Sequence, residues 1–352
     1  MKKLLVTGSS GLIGSEVCIY FGKLDWEIHG IDNNQRAVFF GQSGDTRWSQ
    51  KRLQKEIRYF KHYELDIRDR DNIIRLISTI KPDAIVHTAA QPSHDKAALI
   101  PFDDFDTNAV GTFNLLEATR RYSTEIPFVH LSTNKVYGDA PNEIKMLELD
   151  TRWDYADKNY KEGIPETFRV DQCKHSLFGS SKLAADISVQ EYGRYFGLKT
   201  ACFRGGCLTG SAHSGTELHG FLSYLMMRTM QKKPYTVFGY KGKQVRDNIH
   251  SFDLVNALYH FYKKPGVAKI YNIGGSRYSN SSMLEAIKMC EDISGNTLSW
   301  NYEDENRFGD HIWWISDISR FKADYADWNY QYNMEKIMQE IYEGLRHRLN
   351  GR

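Results

Sequence analysis

Short apolar runs alternate with longer stretches that carry apolar residues at three- and four-residue spacing through the first half of the chain. The short runs, at 3–6, 27–31, 59–64, 84–87, 128–131 and 199–203, predict strands. The longer stretches predict a helix opening at Gly11 and others over 70–80, 105–122 and 178–196. Strands alternating with helices of this length form right-handed βαβ units, and their near-continuous apolar runs suit a parallel sheet covered on both faces. The expected fold is therefore α/β, a Rossmann-type doubly wound sheet. After Arg204 the pattern changes to a Gly/Ser/His-rich stretch, 205–220, then helical patterns over 218–231, 252–262, 281–294 and 334–349, with short strands near Thr236, Ile270 and Leu298. We read residues 1–207 as a nucleotide-binding domain, to which a segment near 245–263 returns, and 208–352 as a smaller C-terminal substrate-binding lobe.

Composition narrows the possibilities. With 352 residues, 41% hydrophobic and 26% charged, the chain has ordinary globular usage. Lys plus Arg (46) against Asp plus Glu (44) gives a formal charge of +2, which argues against a nucleic-acid partner needing a basic face. The five cysteines, Cys18, Cys173, Cys202, Cys207 and Cys290, lack CxxC pairs, so they read as reduced thiols and no metal site is expected. No apolar run reaches the length of a membrane span or a signal segment, and a cytoplasmic protein without membrane association is expected.

The sharpest motif follows the first strand. Gly8-Ser9-Ser10-Gly11-Leu12-Ile13-Gly14 joins a buried strand to a helix, which gathers backbone N–H groups and the positive end of the helix dipole at one point. Such a loop suits a pyrophosphate approaching small residues. The second strand ends at Asp32, followed by Asn33, where a carboxylate bonds both ribose hydroxyls of adenosine and repels a 2′-phosphate. NAD is therefore expected rather than NADP, although Arg36 lies close enough in sequence to receive a phosphate.

The GxxGxxG spacing resembles that of the extended short-chain dehydrogenases, and further stations of that superfamily follow in order. The resemblance implies that Asp66-Ile67 flanks adenine, that Ala89-Ala90-Gln91 runs beside the nicotinamide half of the cofactor, and that Asn108 supports the active-site backbone. Ser132 and Thr133 end the fifth strand, and Phe178-Gly179-Ser180-Ser181-Lys182 opens a later helix. Members of the superfamily carry a Tyr four residues before this Lys, on the same helix face. Lys182 matches the cofactor-binding and catalytic lysine, and Thr133 the group that bonds the substrate oxygen. The tyrosine, lowered in pKa by the lysine, accepts the sugar proton; Phe178 has no hydroxyl to do so. Either the natural protein has lost or rerouted catalysis, or the chain is a Tyr-to-Phe variant made to trap bound substrate and impaired or inactive at this step; with every other station intact, the variant is the favoured reading.

Closer resemblance is to the CDP-tyvelose (CDP-paratose) 2-epimerases. It is carried by Ser132-Thr133-Asn134-Lys135-Val136-Tyr137-Gly138-Asp139, Lys241-Gly242-Lys243-Gln244-Val245-Arg246-Asp247, Tyr271-Asn272-Ile273-Gly274-Gly275, and Arg307 with Asp310-His311. It implies an NAD-dependent epimerase of surface-polysaccharide biosynthesis that passes through a transient 2-keto sugar. Nucleotide-sugar 4,6-dehydratases resemble the chain but place an Asp-Glu pair where Asn134-Lys135 stands, and the xylose-forming decarboxylases carry a Glu there. The implied partner is a nucleotide-diphosphate sugar, CDP-linked by preference. Its implied contacts are Asn134, His175, Arg204, Gln244, Arg246, Arg307 and His311, with Arg246 and Arg307 as phosphate clamps. A homodimer built on helices 105–122 and 178–196 is also implied. A 4-epimerase of another nucleotide sugar, or a catalytically silent nucleotide-sugar or NAD-binding protein, are the alternatives.

Overall fold

The computed structural model describes residues 1–210, 220–306 and 309–350. They form two compact units that interleave along the chain. The first comprises Met1–Val136, Ser176–Arg204 and Val255–Tyr271; the second comprises Tyr137–His175, Gly205–Leu254 and Asn272–Arg352. Residues 137–175 thus pack with the second unit rather than the first, and of the segment near 245–263 only the part from Val255 returns to the first.

A seven-stranded sheet organises the first unit, in the order Lys269–Ile273, Thr200–Gly205, Phe128–Thr133, Ala84–His87, Lys3–Thr7, Glu27–Ile31, Phe60–Tyr63. The pairings from Phe128–Thr133 to Phe60–Tyr63 are parallel, as the βαβ alternation requires. Strand order reverses beside Lys3–Thr7, which places the glycine loop at the switch point where open α/β sheets bind ligands. Leu4, Leu5, Ile85, Phe128 and Cys202 are fully buried, because helices cover both faces. One face packs Leu115 and Leu116 of helix Gly111–Tyr122, Ile73 and Ile77 of helix Arg70–Ile80, and Val189 of helix Leu177–Phe196 into one cluster with the strands.

Helix boundaries depart from periodicity where polar geometry intervenes. The expected helix over 105–122 is a helix Pro101–Phe105, a π turn Asp106–Val110 and a helix Gly111–Tyr122 in succession. The periodic pattern does not register the extra residue of a π turn, which rotates the side chains around it. Helices Gln35–Phe40, Arg47–Glu56 and His94–Leu99 went unread, since they are short or dominated by polar residues.

In the second unit the strand Val245–His250 pairs with Asn280–Ser282, Trp313–Trp314 and Cys207–Thr209. A separate parallel pair joins Tyr235–Phe238 to Trp300–Glu303. Leu222, Leu225 and Met226 of helix Phe221–Met230 pack with Ile287 and Cys290 of helix Met283–Ser294 and with Ile337, Met338 and Ile341 of helix Met334–Asn350. Ser282 and Glu285 form a reciprocal capping box at the start of helix Met283–Ser294. Asp247 is wholly buried, accepts the backbone N–H groups of Ser276 (3.2 Å) and Ser316 (2.8 Å), and burial pushes its carboxyl up to about 6.

Arg204, expected to touch substrate, is instead a buried structural ion. Its guanidinium meets Asp186 at 2.8 Å, and the same carboxylate accepts Ser132 Oγ at 2.5 Å and Gln190 Nε2 at 2.7 Å. Burial alone would raise Asp186; Arg204 and these hydrogen bonds hold it below the usual carboxylate value. Removing one partner strands the other charge. Arg204→Met is therefore expected to lower unfolding free energy by about 3–5 kcal/mol in denaturant titration, and adding Asp186→Leu to recover part of that loss. A loss under 1 kcal/mol contradicts this account.

Candidate active site

Gly8 adopts φ +67°, and a Cβ there would lie 2.8 Å from the Ala89 backbone. A Cβ on Gly14 would meet the Gly8 carbonyl at 2.1 Å, so the first helix sits directly on the loop. Gly8 N–H and Ser9 N–H donate to the Ile31 carbonyl at 2.8 and 3.2 Å, which docks the loop on the second strand. Helix Leu12–Gly22 begins at Gly11 without a side-chain cap, leaving its first N–H groups, at Leu12 and Ile13, for an external acceptor. The hydroxyls of Ser9 and Ser10 are buried without a hydrogen-bond partner. A cradle lined by orphaned donors and too tight for a Cβ fits a pyrophosphate.

Asp32 is held in place by the N–H groups of Ser10 (2.9 Å) and Asn34 (2.8 Å). Arg36 lies with its guanidinium 5.1 Å over the Phe40 ring. Asn33 Nδ2 donates to Asp66 at 3.1 Å, which links the ends of the second and third strands. Burial raises Asp66, but Arg68, bonded to it and to Asp103, keeps its carboxyl below the ordinary value. Ile67 is buried against Gly111, where a Cβ would come within 2.5 Å of it, and its carbonyl accepts Asn114 Nδ2. Ala89 N–H donates to Thr7 Oγ1 at 3.3 Å, and Ala90 follows it, half-buried.

The π turn aims Asn108 into a buried polar cluster. Its Oδ1 accepts Gln91 N–H at 2.9 Å, and its Nδ2 donates to the Gln91 carbonyl, Asp104 and Ser181. Ser181 Oγ in turn donates to Asp104 at 2.6 Å, and Gln91 Nε2 does so at 2.6 Å. Gln91 therefore faces this interior with its side chain, not a cofactor surface, and Ser132 likewise turns its hydroxyl to Asp186. Burial raises the Asp104 carboxyl. Asp104 and Ser181 were not singled out in the sequence, because nothing in their spacing marks them.

Helix Leu177–Phe196 starts at Ser176, whose Oγ accepts Gly179 N–H at 3.1 Å. Phe178 and Lys182, one turn apart, are both buried. Lys182 Nζ donates to the Leu131 carbonyl at 2.7 Å and lies 3.5 Å from His130 Nε2. Burial brings this ammonium down to about 8, against the opposing pull of Asp186, Cys202 and Asp104. The same burial holds His87 down to about 3 and His130 well below its usual value, so the imidazoles beside the lysine are neutral. Thr133 Oγ1 donates to Asn134 at 3.3 Å and accepts Lys135 N–H at 3.2 Å at the end of the fifth strand. The ring of Phe178 meets the His94 ring edge-on, with centroids 5.0 Å apart. His94 is a further residue that sequence reading passed over.

The remaining expected substrate contacts lie in the second unit. Arg246 pairs with Asp310 and donates to the Val245 carbonyl at 2.7 Å. Gln244 Nε2 donates to the Phe238 carbonyl, and its Oε1 is buried without a partner. His175 is half-buried, 3.9 Å from Cys173 Sγ. His311, by contrast, is fully buried: Nε2 lies 2.8 Å from the Gly138 carbonyl and the ring stacks on Trp314. That is the setting of a structural histidine. Arg307 lies outside the described residues.

Comparison with known proteins agrees with this geometry. Residues 4–274 match the model of the NAD dependent epimerase/dehydratase family. The CDP-paratose 2-epimerase of Salmonella typhi is 31% identical over 350 residues, covering 97% of this chain and 98% of that protein. A dTDP-glucose 4,6-dehydratase of Neisseria meningitidis serogroup B is 29% identical, covering 82% of this chain and 74% of its own. Among solved structures, the UDP-glucose 4-epimerase of Thermotoga maritima with UDP-glucose superposes with a TM-score of 0.79 at 24% identity over 99% of both chains. A Tyr-to-Phe variant of the UDP-glucuronic acid 4-epimerase of Bacillus cereus, in complex with a fluorinated UDP-sugar and NAD, gives 0.78 at 22% identity over 98% of this chain and 99% of its own. These two likenesses establish the fold. With its glycine cradle, its carboxylate-ended second strand and an epimerase-family match over most of its length, the chain belongs to the NAD dependent epimerase/dehydratase family and uses NAD.

Proposed function

We propose that this protein interconverts nucleotide-diphosphate sugars that differ at C2, with CDP-linked sugars preferred. The observation that carries this reading is the near end-to-end similarity to a CDP-paratose 2-epimerase, with Asn134-Lys135 where the dehydratases place an acid pair. Elimination of water needs an acid and a base, whereas epimerisation needs one group that takes and returns a proton. Bound in the glycine cradle, NAD would supply the hydride acceptor and donor that inversion at the sugar carbon needs.

In this reading the N–H groups of Leu12 and Ile13, with Gly8, Gly11, Gly14 and the Ser10 hydroxyl, hold the pyrophosphate of NAD. Asp32 and Asn33 hold the adenosine ribose, and Asp66, Ile67, Ala89 and Ala90 border the cofactor. Gln91, Asn108 and Ser132 act indirectly, by fixing the backbone that does so. Lys182 supports the nicotinamide half and supplies the positive field that favours loss of a sugar proton. Thr133 bonds the sugar oxygen, with Asn134 beside it. In the second unit, Arg246 and Gln244 are the proposed contacts of the nucleotide diphosphate, with Arg307, and His175 that of the sugar.

Phe178 slows the reaction, since the ring remains but the phenol does not. C2-deuterated CDP-tyvelose and CDP-paratose test the whole reading. Slow epimer formation is expected in the Phe178 chain, faster than with UDP-linked sugars, and Phe178→Tyr is expected to raise turnover on the order of 10²-fold with similar substrate affinity. Silence in both proteins despite tight ligand binding contradicts the enzyme reading and identifies a binding protein.

Lys182 gives a pH signature. The unfolded chain holds this proton up to about 10.5 and the folded chain up to about 8, so the native protein gains stability as pH rises between them. Lys182→Met removes a buried charge and is expected to raise the melting temperature at pH 7. That advantage shrinks above pH 8 by on the order of 2–3 kcal/mol. An advantage that stays constant to pH 10 contradicts a buried ammonium.

Helices Gly111–Tyr122 and Leu177–Phe196 leave Phe113, Ile187, Tyr195 and Phe196 exposed, an apolar set that supports a homodimer on this face. Sedimentation at micromolar concentration is expected to give a dimer, and Ile187→Glu to give the folded monomer.

A further inference from the structure

One buried carboxylate beside the candidate site has no part in the chemistry described so far. Asp104 is the fourth residue of helix Pro101–Phe105 and is buried. Its Oδ1 accepts Gln91 Nε2 at 2.6 Å and Asn108 Nδ2 at 3.2 Å, and its Oδ2 accepts Ser181 Oγ at 2.6 Å. Backbone groups set the direction of both amides. Gln91 Oε1 accepts Ser93 N–H and Asn108 Oδ1 accepts Gln91 N–H, so each presents its own N–H to Asp104. None of the three donors carries a charge. In the same interior Asp186 is paired with Arg204 at 2.8 Å, whereas Lys182, the residue after Ser181, bonds only the neutral Leu131 carbonyl and the neighbouring His130 ring. Asp104 and Lys182 are therefore buried charges of opposite sign, and among the described residues neither makes a contact ion pair.

We propose that Asp104 is a positioning residue, an anionic hub that keeps the Lys182 ammonium charged while it ties the segment after the fourth strand and the π turn to the helix that carries this lysine. Its part in turnover rests on the epimerase reading above. In an interior of low dielectric an anion this close favours the ammonium, and the ammonium in turn favours the anion: Asp104 adds to the hold of Lys182 on its proton, and Lys182 opposes the rise that burial imposes on Asp104. With phenylalanine at 178, the charge on Lys182 is what this helix turn contributes to loss of the sugar proton, so the group that maintains that charge helps set the rate. The other ionisable groups on elements packed against the pair are His87 and His130 on the strands, both held neutral, Cys202, and the Asp186–Arg204 pair. Beside Asp104 itself stand Asp103, paired with Arg68, and Asp106, with His94, Asp95 and Lys96 on the helix His94–Leu99.

Asp104→Asn separates charge from shape. The amide oxygen still accepts from Gln91 and Asn108, and the new N–H donates to Ser181 Oγ, whose own proton turns to the Phe178 carbonyl 3.1 Å away. Asp104→Ser removes the charge by a second route, and Ser181→Ala keeps the charge but cuts the link. Melting temperature is followed between pH 6 and pH 10 in the unsubstituted chain, in these three variants, and in Lys182→Met with and without Asp104→Asn. The stability gained as Lys182 gives up its proton sets in at about pH 8 in the unsubstituted chain. Without the anion Lys182 holds its proton less tightly, so both Asp104 variants are expected to move that onset down on the order of one pH unit. Asp104→Asn is expected to leave the alkaline profile of Lys182→Met unmoved, and Ser181→Ala to lower the melting temperature at every pH without moving the onset. In epimerisation of CDP-paratose by the Phe178 chain and by Phe178→Tyr, Asp104→Asn is expected to move the basic limb of kcat down by the same amount. An onset that both Asp104 variants leave in place, or one that Ser181→Ala moves as far as Asp104→Asn, overturns the proposal and leaves the epimerase reading intact. A shifted onset with an unshifted kcat limb overturns the part in turnover. Absence of turnover in every protein, Phe178→Tyr included, overturns the epimerase reading and that part with it.

Discussion

Helix Leu177–Phe196 is held by three buried polar side chains: Lys182 and Asp186, one turn apart, reach the sheet, Ser181 reaches the helix Pro101–Phe105 and the π turn, and none of them tolerates an unmade bond. Ser181 reaches Asp104 and Asn108, Lys182 reaches the Leu131 carbonyl, and Asp186 reaches Ser132 and Arg204. Buried away from water, each of these groups costs far more unpaired than it contributes when paired. The helix therefore has a single axial position and rotation. Apolar packing by Val189 and Ala185 alone would tolerate sliding by a turn. The fixed setting decides where residue 178 stands, and the proposed chemistry depends on that placement.

The same low polarisability explains the charge state of the region. Burial brings the Lys182 ammonium down to about 8, while Asp186, Cys202 and Asp104 restore part of its hold on the proton. Two neighbouring imidazoles, His87 and His130, cannot take a second positive charge beside it. His87 is instead fixed between the hydroxyls of Thr7 and Thr112. Of Lys182 and its two imidazole neighbours only the lysine is therefore charged, and Asp186 is already paired with the buried Arg204.

The glycine loop and the π turn reach their geometry by opposite routes. At Gly8 and Gly14 the backbone approaches so closely that no Cβ fits, and the residue type records the constraint. At Asn108 the backbone takes an extra residue within a helical run, and only the partners of the side chain reveal it. One is a steric rule local to the chain; the other is a choice made by the groups that surround it.

Sequence alone determined the α/β alternation, the parallel sheet, the cradle for NAD and the family, because these follow from period, steric exclusion and short motifs. It also put Phe178 one turn before Lys182, a matter of helical spacing. Tertiary structure decided what each polar residue serves. Arg204 and Ser132 carry the same letters whether they face a ligand or Asp186, and only the fold brings that carboxylate to them across 18 and 54 residues. His311 and Gln91 are interior for the same reason. The edge-on contact of His94 with the ring of Phe178, 84 positions away, is likewise made by folding, and no spacing along the chain encodes it.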